Sequence, residues 1–173
     1  LLDAVAKLAV SDNTSVWVGR FLAPSDRANL SGPYYGNVGN NGLASASSYY
    51  MGGNNQAGRD DGVMLTGGLP TGGVNLKYSI GIFDGGAADD QMIAARVVLN
   101  LWDDEPGHYN ASTYYGEKEI LALGLSFQEG NGSGGGWINA GDSAFAVDLL
   151  VEKNLDGAGT VTLDASYADI DLI

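Results

Sequence analysis

Strict alternation of apolar with small or polar residues is the feature that most constrains the fold of this chain. Within residues 119–128 the apolar side chains occupy every second position, at Leu121, Leu123, Leu125 and Phe127. Two other segments share this period, with apolar positions at Val74, Leu76, Tyr78, Ile80 and Ile82, and at Ile93, Ala95, Val97, Leu99 and Leu101. Since neighbouring side chains of a β-strand point to opposite faces, the pattern predicts long strands with one apolar face.

Alternation and turn residues together predict eight strands. They are expected over residues 2–10, 15–23, 62–69, 74–84, 91–102, 119–129, 144–154 and 160–172. Short turns rich in Gly, Asp, Asn or Pro lie at residues 11–14, 70–73 and 156–159, and longer links lie at 24–61, 84–90 and 130–143. Such alternation of short and long connections is typical of outer-membrane barrels, and the long link at 103–118 is its one exception.

The composition argues against several other classes of protein. No apolar run is long enough for a spanning helix, and 27 glycines with 0 cysteines indicate a sheet with tight turns instead of a disulfide scaffold. The 8 basic and 21 acidic residues give a formal charge of -13, which argues against nucleic-acid binding. The first residues form no signal peptide and the last lie inside an alternating segment, so we expect both ends to be cut.

Enzyme signatures are missing from the sequence. His108 is the single histidine, and no serine lies in a Gly-x-Ser-x-Gly elbow. Carboxylates at 84–90 and 103–105 are oxygen ligands of the kind that calcium takes, but their spacing is not that of an EF-hand. We therefore predict no enzymatic activity, no cofactor and no metal site.

Alternation alone fits both a membrane barrel and a soluble sandwich, because each has one apolar face. Strand length, the turn-loop alternation and aromatic residues near strand ends favour the membrane. These aromatic residues are Trp17, Tyr78, Phe83, Trp102, Tyr114, Tyr115 and Phe127. We predict an all-β, antiparallel transmembrane β-barrel of the porin type, in which residues 1–173 form one partial domain of about eight strands of a larger barrel.

Several strings resemble, in order, the signatures of the phosphate-selective porin O/P family of Gram-negative outer membranes. They are VGRFLAP at 18–24, GRDDGVML at 58–65, YSIGIFDG at 78–85, AARV at 94–97 and YYGEKEILALG at 114–124. The resemblance implies a water-filled, homotrimeric barrel in the bacterial outer membrane, of which this chain supplies about half. It also implies passive diffusion of small hydrophilic solutes or ions, with phosphate and other anions among the candidates, lipid as the surrounding partner, and no cofactor.

With the apolar faces outward, the other faces carry the candidate pore-lining residues Asp3, Lys7, Arg20, Lys77, Arg96, Asp148, Glu152 and Asp164. An arginine facing lipid at the bilayer centre costs roughly 2–4 kcal/mol, so Arg20 and Arg96 should point into the lumen. There they either contact a passing anion or pair with a carboxylate such as Asp148 or Asp164. The near balance of these charges predicts a pore that is at most weakly anion-selective.

The loop at about 24–61 has two interpretations, a constriction folded into the pore or a surface loop. Its candidate constriction residues are Arg27, Arg59, Asp60 and Asp61, which could equally anchor the loop through salt bridges or turn hydrogen bonds. Two alternative functions stay open: a porin-like structural sleeve in an envelope complex, and a secreted, acidic, soluble β-protein that binds carbohydrate or calcium.

Overall fold

The computed structural model describes residues 3–35, 59–85, 91–105, 107–130 and 142–171. In chain order the elements are β1 (Ala4–Ser11), β2 (Thr14–Leu22), α1 (Arg27–Tyr35), β3 (Arg59–Pro70), β4 (Asn75–Phe83), β5 (Met92–Asn100), β6 (Ile120–Gly130), β7 (Ser143–Asn154) and β8 (Thr160–Asp171). All eight predicted strands are confirmed, with every boundary within three residues of its expected place. Helix α1 was not predicted.

The strands form one antiparallel sheet in which each strand pairs with its neighbours in sequence, in the order β1 to β8. β1 and β8 are the two edges of this open sheet, and no pairing joins them within the described ranges. The β7–β8 hairpin shows how the sequence sets the connections. Asp156 and Gly157 both have positive φ, at 31° and 85°, which is the condition of the tight turns that favour Asp-Gly.

The register divides the sheet into two faces, because residues directly opposite each other share a face. One row reads Lys7, Trp17, Met64, Gly81, Ala94, Gln128 and Ala144, and the adjacent row reads Leu8, Val16, Leu65, Ile80, Ala95, Phe127 and Phe145. We call the face of the first row the inner face and that of the second the outer face.

Apolar side chains cover the outer face and remain exposed. In β6, the exposed fractions of Leu123, Leu125 and Phe127 are 37%, 45% and 41%. The other exposed apolar residues of this face include Val63, Leu65, Ile80, Ile82, Ile93, Val97, Leu99, Phe145 and Leu163. The prediction that the apolar sets of β4, β5 and β6 share one exposed face is therefore confirmed, and among the described residues no second sheet packs on them.

Two connecting segments cover the inner face. The helical segment (residues 23–35) follows β2, and the long turn (residues 101–119) joins β5 to β6. Because β2 and β5 run in opposite directions, these segments start from opposite ends of the strands. They meet where the Asn110 amide donates to the Leu30 carbonyl over 3.4 Å. Residues 23–31 are all buried, so the described start of the 24–61 loop folds against the sheet; residues 36–58 lie outside the described part.

Candidate functional site: a buried ion-pair cluster between two inserted segments

Arg96 on β5 and Asp148 on β7 form the base of the cluster, paired across the intervening β6. The Arg96 guanidinium donates to both carboxylate oxygens of Asp148, over 2.5 and 2.8 Å, and both side chains are buried. Gly124 lies beneath the pair on β6, opposite Asp148 in register. A Cβ at this position would fall 2.5 Å from Asp148 Oδ1 and would also collide with the Arg96 guanidinium. The missing side chain therefore makes the pairing across β6 sterically feasible.

The helical segment brings a second arginine onto this base. Asp26 caps helix α1 by accepting the Asn29 amide over 3.0 Å, which places Arg27 in the first turn. The Arg27 amide donates to Asp148 Oδ2 over 3.2 Å, and its Nε lies 3.5 Å from Asp148 Oδ1. Arg96 in turn donates to the Ser25 carbonyl over 3.0 Å. The start of the helix is thus fixed to the sheet through the charged pair below it.

The long turn supplies the second carboxylate. Arg27 Nη1 and Nη2 donate to the two oxygens of Glu105 over 2.6 and 2.7 Å, and both side chains are fully buried. Arg27 also donates to the Ala111 carbonyl over 2.7 Å, and the Tyr114 hydroxyl donates to Glu105 over 2.9 Å. Two arginines and two carboxylates therefore form a charge-balanced cluster, with each arginine in a bidentate pair, the strong geometry for such contacts.

The charges of the cluster stabilise each other against burial. Burial alone would raise the pKa of Glu105, but the hydrogen bonds and charge of Arg27 outweigh it and hold that pKa below its ordinary value. Burial would likewise lower the pKa of Arg27, yet Glu105 and Asp148 raise it. Burial and the adjacent Glu105 charge raise the pKa of Tyr114. These shifts favour the charged forms of Glu105 and Arg27 and the protonated hydroxyl of Tyr114, which donates to Glu105.

Glu152 anchors the far end of the long turn to β7. Its carboxylate accepts the amides of Tyr114 and Gly116 over 3.0 and 2.9 Å. It also accepts the hydroxyls of Thr113 and Thr162 over 2.8 and 2.9 Å. A carboxylate with this many donors satisfies its charge without an arginine. Glu152, predicted to line a pore, lies on the inner face, where its carboxylate accepts hydrogen bonds from backbone amides of the long turn.

His108 fixes the middle of the long turn through a directed hydrogen-bond chain. Its Nε2 lies 2.9 Å from the Leu22 carbonyl, which can only accept, so Nε2 carries the proton. Nδ1 then accepts from the Ser79 hydroxyl, 3.2 Å away. Burial lowers the pKa of His108 to about 4, and the positive charges of Arg96, Lys77 and Lys7 act in the same direction. His108 is neutral in the folded protein near pH 7.

Beside the cluster, an open cavity of about 400 Å³ extends to the end of the strands that carries the short turns. Its lining includes Thr14, Trp17, Thr66, Lys77, Asp104 and His108. The Lys77 ammonium donates to Asn110 Oδ1 over 3.3 Å. The register places Lys77 on the inner face, at the boundary between this cavity and the ion-pair cluster.

The remaining predicted residues lie at the ends of the strands or at the edges of the sheet. The Lys7 ammonium lies 3.6 Å from the centre of the Trp17 ring. Asp164 sits opposite Leu150 on the inner face of β8. At the end of β1, Asp3 pairs with Arg59 over 2.5 Å and accepts the Tyr109 hydroxyl over 3.0 Å.

Arg20 requires a correction, because it lies on the outer face opposite Asp61 in register and pairs with that carboxylate. Its neighbour Asp60 accepts the amides of Asp61 and Gly85 over 2.8 and 2.9 Å, which is the turn-anchoring alternative considered for this position. Of the four constriction candidates, only Arg27 reaches the cluster.

Sequence reasoning missed Glu105, Tyr114 and the role of His108. Glu105 appeared only within an acidic run, and its neighbours there are used differently: Asp103 accepts the Glu119 amide over 2.8 Å and Asp104 accepts the Asn100 side chain over 2.9 Å. Strand alternation carries no information about side chains in a loop. Within the described ranges, no group of three or more His, Cys, Asp or Glu residues is arranged to hold a metal ion.

Comparison of the chain with protein-family models, curated proteins and solved structures finds no significant match. Among the described residues, no helix is both long and apolar enough to cross a membrane.

Proposed function

We propose that this chain forms the wall of an outer-membrane pore for passive diffusion of small hydrophilic solutes or ions, without enzymatic activity. The observation that carries the proposal is the contrast between the two faces of one sheet. The outer face is an array of exposed Val, Leu, Ile and Phe, whereas the inner face holds buried ionic and hydroxyl side chains beside a buried apolar cluster around Trp17, Phe21 and Met64. An apolar face that stays exposed on the other side of the sheet is what a wall between lipid and water requires.

The size of the outer face supports lipid as its partner. Soluble monomers rarely expose contiguous apolar patches of more than a few hundred Å². Here the exposed apolar positions run across neighbouring strands, with Val63 opposite Ile82 and Ile82 opposite Ile93. The strands are 8 to 12 residues long, close to the roughly 9–11 residues that a tilted strand needs to cross a bilayer.

The end of the sheet near the short turns resembles a membrane interface. Trp102 is 41% exposed there, and the Lys153 ammonium lies 5.3 Å from the centre of its ring. Tyr115 is 74% exposed in the same region. Trp and Tyr favour the headgroup level, and lysine extends its charge toward water.

The inner face supports diffusion of solutes without strong charge preference. Arg27 and Arg96 are balanced by Glu105 and Asp148, so no row of unpaired arginines faces the interior at this level. Passage would follow the polar cavity beside Lys77 and narrow where the helical segment and the long turn meet. We infer a pore that is at most weakly anion-selective. Further strands or subunits would complete its barrel, and the resemblance to the porin family favours a homotrimer.

One observation favours the porin-like structural sleeve instead. The two inserted segments fill the inner face over the cluster, and a filled interior suits a barrel that holds a partner or a shape more than one that conducts. The soluble β-protein has no comparable support, because its apolar face would lie open to water.

Detergent dependence and conductance test these functions together. We expect the purified protein to require detergent or lipid to stay monodisperse, and to give stepwise currents in planar bilayers. Detergent dependence without current would favour the sleeve. Monodispersity in buffer alone, with unchanged secondary structure by circular dichroism, would contradict both membrane functions.

A further inference from the structure

We propose that the open cavity beside Lys77 is a binding site for a neutral, polyhydroxylated solute of the size of a monosaccharide or a sugar alcohol. This inference rests on the proposed pore function and deepens it, because it names the class of solute that the channel binds. The cavity has a volume of about 400 Å³, within the roughly 300–1,000 Å³ of small-molecule sites. The β1–β2 hairpin, the β3–β4 hairpin and the long turn line it together.

The Lys77 ammonium supplies hydrogen-bond donors that the protein itself does not use. An ammonium has three N–H donors, and here one of them donates to Asn110 Oδ1 over 3.3 Å. This is its one hydrogen bond in the described part of the chain, and the ion pairs there involve other cations. A solute oxygen in the cavity can therefore accept from Lys77 without breaking an existing contact.

The other groups of the lining suit a molecule with several hydroxyls. Asp104 contributes carboxylate oxygens, which accept, and Asn13 and Asn75 contribute amides, which both donate and accept. Each hydroxyl of a polyol also donates and accepts, so neighbouring hydroxyls can contact an ammonium and a carboxylate at the same time. Ala9 and Trp17 add apolar surface to the lining, which the C–H groups of a sugar can contact.

The charges of the lining disfavour ions of either sign. Three carboxylates, those of Asp12, Asp104 and Glu105, line the cavity together with Lys77. Arg27 neutralises Glu105, which leaves two carboxylates and one ammonium in the lining. Inorganic phosphate would meet the carboxylates, and an organic cation would meet the ammonium. Since like charges in contact cost several kcal/mol, a neutral solute fits this lining best.

Calorimetric titration of the detergent-solubilised, full-length protein with glucose tests the site without requiring conduction. We expect a dissociation constant on the order of 1 mM, in keeping with a small ligand. Lys77→Met keeps the length of the side chain and removes its donors, so it should weaken binding roughly tenfold. The matched control is Lys153→Met, which removes a lysine outside the cavity at the same end of the sheet and should leave binding unchanged.

Three results of the titration would overturn the site. They are absence of glucose binding, equal loss in Lys77→Met and Lys153→Met, and tighter binding of inorganic phosphate or putrescine than of glucose.

Protection of Lys77 from acetylation tests the site in the unaltered chain, so it does not depend on the folding of a variant. At a concentration equal to its dissociation constant, glucose occupies half of the sites and should slow acetylation of Lys77 about twofold. The rate at Lys153 should stay the same, and peptide mass spectrometry measures both. Equal rates at Lys77 with and without glucose would overturn the site.

Potassium chloride currents in planar bilayers report on the pore separately. Currents from a protein that does not bind glucose would overturn the site and leave the pore intact. Glucose binding by a protein that gives no current would overturn the pore and support the binding site.

Discussion

Arg96 and Asp148 lie on strands that are not neighbours, and their side chains meet above Gly124 of the strand between them. The pair exists because the central strand offers no side chain at that position. A glycine of the sheet thus makes room for the charged pair on the inner face.

We expect Gly124→Ala to destabilise the protein by about 1–3 kcal/mol, because its methyl group would enter the space of a buried, bidentate pair. Gly68→Ala on β3 is the matched control, since a Cβ there meets only the Leu76 carbonyl at 3.8 Å. Denaturant unfolding in detergent micelles measures both. Equal midpoints for the two variants would show that the pair tolerates displacement.

A double-mutant cycle on Arg96 and Asp148 should reveal strong coupling. Each single change, Arg96→Leu or Asp148→Leu, leaves a buried charge and is expected to cost about 3–5 kcal/mol. The double variant removes both charges, so its loss should be well below the sum of the two. Additive losses in the same unfolding assay would argue that the two side chains act independently.

Stability should fall in mild acid because of His108. Its pKa drops to about 4 in the folded protein, whereas the unfolded chain titrates near 6.5. Between these values the unfolded state binds more protons, so stability that is present above pH 6.5 is lost as the pH falls to about 4, by up to about 3 kcal/mol.

His108→Gln is the control for that pH range, since Gln can donate to the Leu22 carbonyl but does not titrate. The chain has 1 histidine, so the variant should show a nearly flat unfolding free energy from pH 6.5 down toward 4.5, the ordinary pKa of a glutamate. A further loss at lower pH should persist in the variant, because the pKa of Glu105 lies below its ordinary value and its protonation removes the pair with Arg27. If the unfolding free energy of His108→Gln fell with pH as steeply as that of the wild type, groups other than His108 would titrate in this pH range.

Contact between the outer face and lipid can be tested by placing one arginine at the centre of the strands and another at their end. Leu125 is central in β6, whereas Leu155 follows β7 at the end with the short turns, and both are exposed. In lipid vesicles, Leu125→Arg should cost roughly 2–4 kcal/mol and Leu155→Arg no more than about 1. If water covered this face, both changes would be nearly neutral.

Ion selectivity tests the charge balance of the inner face. We expect reversal potentials under a salt gradient to indicate weak anion selectivity at most, and Lys77→Gln to shift them toward cations, because Lys77 borders the polar cavity. Arg20→Ala should have no effect, since Arg20 lies on the outer face with Asp61. Strong anion selectivity that Arg96→Ala abolishes would show that Arg96 contacts solutes despite its pairing.

The strands were predictable because period-two alternation is local and needs no knowledge of distant residues. In β2, alternation cannot distinguish the two faces of the strand. Val16 and Val18 lie on one face and Trp17 and Phe21 on the other, so both faces are apolar and the sequence does not show which face carries Arg20. The inner side of β2 is apolar because Trp17 packs on His108 of the long turn, with ring centres 5.4 Å apart. That contact joins residues far apart in sequence.

The cluster itself was only partly predictable. Pairing of Arg96 with Asp148 was one of two alternatives, because buried charges must find partners. Helix α1 was missed because Gly32 and Pro33 disfavour a helix, and its stability comes from the Asp26 cap and from packing on the sheet. The position of Glu105 follows from the path of the long turn, which no local pattern encodes.

The neighbour-to-neighbour order of the strands has a consequence for assembly of the sheet. Each hairpin closes a loop between adjacent segments, so the sheet can lengthen one strand at a time with little loss of chain entropy. The Arg27–Asp148 contact spans 121 residues and needs β7 in place. We therefore expect the polar side chains of the inner face to stay hydrated until then, and the cluster to form late, on a nearly complete sheet whose strands are in register.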